Sequence, residues 1–333
     1  MGVNPYPMSS TFKQLGKAYD QMERLAHQRA VREAKEEKLR EKAQEKANAT
    51  SSVEHYNKFL SNLVSLHKEE SEKVDWEGIR SETSPSEPVP GDRQEKAASL
   101  KLTNYQPSLI DKLFSLRKKR IASLEKKLAL ARQKDRADYE KARTEYEKAK
   151  LDWEKMNRMA KGVLEKDTAA YRDAIAHFMP FAEIKGLGSK VDFTIHTDHL
   201  VADLQVTGDD IVPNYTLSLT STGKLSKKEM AVSKYNALYQ DHICSSVLRL
   251  ARETFALLPV PFILVNAIAN VLNPSTGKIG AQTILSVFIP VEKLADLNFE
   301  ALDPSDSMQN FRHNMHYSKT TGFGPVEKLE VAA

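Results

Sequence analysis

Cysteine is nearly absent. Cys244 stands alone among 333 residues, which excludes a disulfide framework and any cysteine-built zinc site. Its surroundings, Asp-His-Ile-Cys-Ser-Ser-Val-Leu, read as a buried helix, where a thiol packs as core rather than serving as a nucleophile. Long apolar runs are missing too. The most hydrophobic stretch, Phe255–Ala269, is interrupted by Pro259 and Pro261 and falls short of the ~20 apolar residues a membrane span needs. Met1–Ser10 is polar, with Pro5 and Pro7 in place of an apolar signal core, so the expected compartment is the cytoplasm, with no membrane partner. Charge of one sign is scarce: 49 basic against 45 acidic residues leave +4, too little to imply nucleic-acid binding by itself. Phosphate loops, dinucleotide fingerprints, nucleophile elbows and His-Glu-x-x-His helices do not occur, so no cofactor, no catalytic residue and no metal ligand set is expected.

What the chain has in abundance is helix. From Ser108 to about Glu165 there is no proline and one glycine, Gly162. At about 1.5 Å per residue this predicts a helix of roughly 87 Å, longer than a small domain is wide. Phe114, Ile121, Leu124, Leu128 and Ala131 follow an a/d pattern, which resumes at Tyr139 and continues through Ala142, Tyr146, Ala149, Trp153, Met156, Ala160 and Val163. Asp135 and Asp138 fall where the first run predicts apolar residues, so the resumption amounts to a four-residue stutter. The aromatic stripe reads as packing against another helix.

Upstream, a helix is expected from Ser10 to Ala47 with a seam of Phe12, Leu15, Tyr19, Met22 and Ala26. Ser51-Ser52-Val53-Glu54 reads as a capping box that opens a second helix. Ser84-Pro85-Ser86-Glu87-Pro88-Val89-Pro90-Gly91 cannot be helical and reads as an exposed linker before a short helix over Arg93–Leu102, with Pro107 in the first turn of the long one. The long helix is expected to pair antiparallel with the N-terminal helices.

Beyond Gly186-Leu187-Gly188-Ser189, Val191–Thr197 and Leu200–Val206 alternate as half-buried antiparallel strands, and Tyr215–Thr220 is a third. A helix is expected over Lys227–Leu257, then strands Phe262–Leu272 and Gln282–Ile289 joined by the Asn273–Gly277 turn, two short helices (Val291–Leu297 and Pro304–Asn314) and a polar tail. The fold class is therefore α+β: a long antiparallel helical coiled coil followed by a small domain of hairpin strands packed on a long helix. The divisions fall at 1–69 (N-terminal helices), 70–106 (linker and short helix), 107–184 (long and short helices) and 185–333 (α+β domain).

Two basic groups are the candidate partner- or anion-binding residues. Arg117, Lys118, Lys119 and Arg120 spread around the long helix, where nucleic-acid phosphates could dock. Arg249 and Arg252 sit on an otherwise apolar helix, read either as an Arg249–Glu253 ion pair at the domain rim or as a binding edge beside the Asn273–Gly277 turn. His196 and His199 flank a turn at Asp198 with no third ligand, and His313 and His316 lie beside Arg312; both pairs read as exposed polar residues. Asp192 and Asp203 lie on adjacent strands as in metal-dependent nucleases, but Asp203-Leu204-Gln205 lacks the lysine that such a motif places two residues on.

At Tyr239-Gln240-Asp241-His242-Ile243, Leu248-Arg249-Leu250-Ala251-Arg252-Glu253-Thr254-Phe255, Asn273-Pro274-Ser275-Thr276-Gly277 and Leu297-Asn298-Phe299-Glu300-Ala301-Leu302-Asp303-Pro304 the chain resembles a group of bacterial proteins. In these a coiled-coil region precedes a small α/β module, which in some relatives is similar to the part preceding an Mrr-type restriction-nuclease domain. The likeness runs from Leu63 to Val326, with no nuclease domain expected after it. It implies a bacterial cytoplasmic protein near DNA-defence systems and transfers no catalytic residue. The expected function is a non-enzymatic interaction or scaffold protein with a protein partner. The alternatives are a DNA-associated accessory component and a divergent metal-dependent nuclease.

Overall fold

The computed structural model describes residues 10–69, 71–108, 114–182, 190–206, 211–273 and 276–331, with side chains of the first helix described from Met22 onward. The seam residues Phe12, Leu15 and Tyr19 and the Gly186–Ser189 joint therefore lie outside the described side chains or residues.

Helix α1 (Ser10–Val64) is one helix of 55 residues, not two. The expected capping box does not form, because the helix runs straight through Ser51 and the hydroxyls on either side of it bond to carbonyls of the preceding turn. Thr50 Oγ1 donates to the Lys46 carbonyl and Ser52 Oγ to the Asn48 carbonyl, each at 2.9 Å, so neither competes for the backbone as a cap would. Packing also holds the joint straight. Tyr56 stacks on Tyr215, ring centroids 5.7 Å apart, and its hydroxyl donates to the Tyr215 carbonyl.

Helices α2 (Trp76–Ser81) and α3 (Arg93–Thr103) flank the proline-rich segment and lie antiparallel along α4 (Arg117–Leu164). The antiparallel helical pairing is present, but its partner is this 76–103 stretch rather than α1, which packs instead on the β3–β4 hairpin and on α6 described below. The expected linker is thus a tie. Trp153 Nε1 donates to the Glu82 carbonyl at 3.0 Å and Asn157 Nδ2 to the Arg80 carbonyl at 2.9 Å, while further along Gln94 meets Asp135. From Trp153 to Asp135 the helix advances about 27 Å, a distance that eleven or so extended residues span with little slack. Tyr139, Tyr146 and Trp153 are consequently half-buried under a thin cover, not sealed in a coiled-coil core. Helix α4 starts later than expected, at Arg117, after Ser115 at φ 54°; Pro107 is not in it.

The stutter has a tertiary cause. Asp135 accepts from the backbone N–H groups of Gln94 (3.1 Å) and Glu95 (2.7 Å), and Asp138 accepts from Gln94 Nε2 at 2.9 Å. Asp92 makes no side-chain cap of its own, so α3 borrows its cap from α4. Asp135→Ala is expected to cost about 1 kcal/mol, the usual effect of a lost N-cap. A urea titration with an unmoved midpoint would refute it.

Helix α5 (Thr168–Phe178) opens on Asp167, whose carboxylate accepts from the Ala169 N–H at 3.0 Å. The strands are β1 (Lys190–Ile195), β2 (His199–Gln205), β3 (Tyr215–Leu219) and β4 (Leu225–Glu229), followed by α6 (Val232–Leu257). The helix expected from Lys227 begins five residues later. Thr220-Ser221-Thr222-Gly223, with Gly223 at φ 80°, makes a turn that sends 225–229 back along β3, and the Lys227 ammonium lies 3.9 Å from the Tyr215 ring centroid. Then come β5 (Phe262–Asn273), β6 (Lys278–Pro290), α7 (Val291–Ala295), β7 (Arg312–Ser318) and β8 (Gly322–Gly324). The expected helix over Pro304–Asn314 is only a short 3₁₀ turn, Asp306–Asn310, capped by Asp303 and running straight into β7.

The six-stranded sheet has the order β1-β2-β5-β6-β7-β8. Its pairs are antiparallel except β2 with β5, which are parallel and connected through α6, so the sheet is mixed rather than built of hairpins alone. One continuous core joins α6, α5 and the end of α4 (Met159, Ala160, Val163) to Leu200, Ala202 and Leu204 of β2 and Ile263, Val265 and Ala267 of β5. Trp76 closes it from α2, donating from Nε1 to the Leu257 carbonyl at 2.6 Å. Among the described residues no helix is long and apolar enough to cross a membrane.

Candidate functional site

The two candidate basic groups lie on different parts of the molecule and are not brought together. Arg117, Lys118, Lys119 and Arg120 form the first turn of α4, all exposed, with no acidic residue beside them in that turn. Cations at a helix N-terminus oppose the macrodipole by tenths of a kcal/mol, so the cluster does not serve the helix.

Arg249 and Arg252 occupy the opposite situation. Arg249 Nε meets Glu253 Oε1 at 2.9 Å with side chains only 8% and 0% exposed. The ion pair expected at a rim is buried, because residues 65–69 and Ser71 lie across it: Ser71 N–H donates to Glu253 Oε1 at 3.0 Å and Glu69 Oε2 stands 3.8 Å from Arg249. Arg252 donates to the His67 carbonyl and lies over the Phe299 ring at 3.9 Å. The binding edge beside the Asn273–Gly277 turn does not exist. Asn273 pairs with Lys278 at the far end of the β5–β6 hairpin, whereas Arg252 is near Leu257, where β5 is about to begin. Both arginines anchor the end of α1 to α6.

Cys244 is fully buried, and burial pushes its thiol well above the ordinary range, so it is inert. His196 is exposed and stacks on His199 at 4.2 Å; His199 in turn stacks on Phe262 at 4.8 Å. Its Nδ1 lies 2.7 Å from Asp198 Oδ1, a bond that holds the Asp198 carboxyl below its usual range. Among the described residues no three His, Cys, Asp or Glu side chains converge as metal ligands.

The most organised polar surface is the sheet face turned away from α6. Asp192 and Asp203 are register partners on β1 and β2, Asp203 pairs with Asn266 on β5, Asn266 with Ser286 on β6, and Ser286 with Asn314 on β7. Strand alternation puts all five on one face in a single row. Within it Asn266 Nδ2 donates to Asp203 Oδ1 at 2.9 Å and Ser286 Oγ to Asn266 Oδ1 at 2.7 Å. Lys190 neutralises Asp192 at 3.0 Å. The lysine missing after Asp203 in sequence arrives from the chain's other end: Lys328 Nζ lies 2.8 Å from Asp203 Oδ2.

Lys328 belongs to an extended strap, 326–330, where a loose polar tail was expected. Val326 N–H donates to the Thr283 carbonyl (2.8 Å) and Leu329 N–H to Ser286 Oγ (2.9 Å). Asn314 Nδ2 donates to the Glu327 carbonyl (2.9 Å) and Arg312 to the Glu330 carbonyl (3.1 Å). Arg312 also lies 5.1 Å from the centroid of Phe288, which packs 4.7 Å from Phe262. Sequence reasoning missed this surface. Asn266, between Val265 and Ala267, and Ser286, between Leu285 and Val287, interrupt apolar runs and were the available signal. Comparison with protein-family models, with curated proteins and with solved structures returns no match.

Proposed function

We propose that this is a non-enzymatic bacterial interaction protein of the cytoplasm, in which long helices act as spacers and the α+β module binds a protein partner. The observation that carries the reading is α1. Every residue from Met22 to Asn48 is exposed, a length of about 40 Å of helix, of which only the Lys42–Asn48 end lies beside the Thr222–Leu225 turn among the described residues. Isolated helices are marginal in water and usually owe their stability to a packed face. Here Leu25 and Leu39 are 51% and 58% exposed, apolar positions that a partner helix would cover. Photo-crosslinking residues at Leu25 and Leu39 in native host cells are expected to trap a defined protein partner. Crosslinks no more frequent than at an exposed control position on β4 would refute the reading.

A second reading has its own observation. The Arg117–Arg120 cluster stands at the wrong end of a helix dipole, a cost that bound phosphate would remove. In that case the protein is a DNA-associated accessory component of a defence system. DNA affinity would then fall steeply with salt, and neutralising the four cations would reduce the slope by up to about four. Affinity unaffected by those substitutions would rule it out. A divergent nuclease is the least supported reading, since Asp203 is already held by Lys328 and Asn266. It requires Mg²⁺-dependent cleavage that Asp203→Ala abolishes.

A further inference from the structure

We propose that the row-bearing face of the sheet is a peptide groove, occupied in cis by its own strap, and that it accepts an extended segment of a partner protein whose lysine aligns with Asp203. This rests on reading the α+β module as a binding module.

The contacts divide as they do in grooves that read extended peptides, where main-chain bonds hold the segment and one or two side chains select it. Three face side chains address the strap's backbone: Ser286 takes the Leu329 N–H, Asn314 the Glu327 carbonyl and Arg312 the Glu330 carbonyl. A single strap side chain, Lys328, supplies the charge that answers Asp203. The receiving row is formed independently of the strap. Asn266 bonds both Asp203 and Ser286, fixing the carboxylate and the hydroxyl before any segment arrives. Asn266 and Ser286 are 1% and 0% exposed, yet no residue of 326–330 is itself buried. The cover is thin and the groups below it are fully engaged. Its bonds go chiefly to side chains rather than to a strand ladder, the kind of local contact that opens well before a fold does. A lysine is the side chain the groove selects, because an acidic or neutral residue there would leave the Asp203 carboxylate without its counter-charge under the segment.

The test dislodges the strap within the full chain. In the Lys328→Glu/Leu329→Pro protein, glutamate is repelled by Asp203 and proline has no N–H for Ser286. A fluorescein-labelled peptide covering Pro325–Val331 should bind this protein and raise its polarisation. Wild type should bind at least about tenfold more weakly, since its tethered strap competes at high effective concentration. The same peptide carrying Lys328→Glu should lose about tenfold or more, and so should the dislodged protein with Asp203→Asn added. If the dislodged protein melts cooperatively but binds nothing at about millimolar peptide, the proposal is wrong. If it does not fold, hydrogen exchange on wild type decides. The Val326 and Leu329 amides should exchange long before those of β5, and exchange only through global unfolding would overturn the proposal. A wild-type dimer that Asp203→Asn dissolves would assign the groove to a second copy and overturn it as well. None of these outcomes touches the α1 crosslinks, so failure here is distinguishable from failure of the wider reading.

Discussion

Arg249→Met is expected to destabilise the fold by about 3–5 kcal/mol, the usual cost of leaving one member of a buried ion pair without its partner. Glu253 is fully buried, and among the described residues its Oε2 has no hydrogen-bond partner, so its charge depends on Arg249 and on the Ser71 N–H at Oε1. Methionine fills much of the arginine stem's volume, which separates the loss of charge from the loss of packing. The double variant Arg249→Met/Glu253→Leu should recover most of the loss, because two apolar residues of similar size remove both desolvated charges. Urea midpoints at pH 8 for wild type, Arg249→Met, Glu253→Leu and the double variant complete the cycle. If the single variant is as stable as wild type, or if the double variant is the less stable of the two, the pair is not the buried element the geometry describes.

That pair illustrates how much of this fold the sequence discloses. The i, i+4 spacing of Arg249 and Glu253 is legible, and so is their pairing. Their burial is not, because it is caused by Glu69 and Ser71, almost two hundred positions upstream. The same division runs through the molecule. The alternation of Val191–Ile195 and Leu200–Leu204 identifies a hairpin, but nothing local discloses that β2 lies parallel to β5 across a whole helix. A break in a heptad pattern is visible at Asp135, and its cause, a cap delivered to the N-terminus of another helix, is a tertiary fact. Ser51-Ser52-Val53-Glu54 has the composition of a cap, yet back-bonding hydroxyls and the stacked pair Tyr56–Tyr215 keep the helix running through it. Local propensity is a weak prior when packing on both sides prefers continuity. Lys328 is the extreme case: no spacing rule connects it to Asp203, 125 residues away, and the two meet only because the chain returns across the sheet.

Stability should fall steeply as pH drops below about 6.5, the ordinary histidine value. The joint between α1 and α6 contains two buried histidines, each 1% exposed and each with an Nε2 that has no partner. Nδ1 of His242 donates to the Leu63 carbonyl at 3.0 Å. His67 receives Ser245 at both ends, its N–H donating to Oγ at 3.0 Å while Nδ1 lies 2.9 Å from the same oxygen. Burial lowers the pKa of both. At His67 the neighbouring Lys68 and Arg252 lower it further, against a smaller opposing pull from Asp303 and Glu300; at His242 the bond to Leu63 pulls the other way. The folded chain therefore keeps both rings neutral at pH values where the unfolded chain protonates them. Unfolding takes up protons, so the contribution is complete above the unfolded value and is lost progressively as pH falls towards the lowered folded values. Two protons give a limiting slope of about 2.7 kcal/mol per pH unit. Asp241 works with the opposite sign: burial, Asp303 and Asp306 raise its pKa, so the folded chain takes that proton first and gains stability as the carboxylate range is approached. Comparing wild type with His67→Gln/His242→Gln isolates the histidines from that term. Urea midpoints between pH 8 and 5.5 should fall for wild type and stay nearly flat for the double variant, whatever its absolute stability. Parallel curves for the two proteins would show that neither ring is held neutral by the fold.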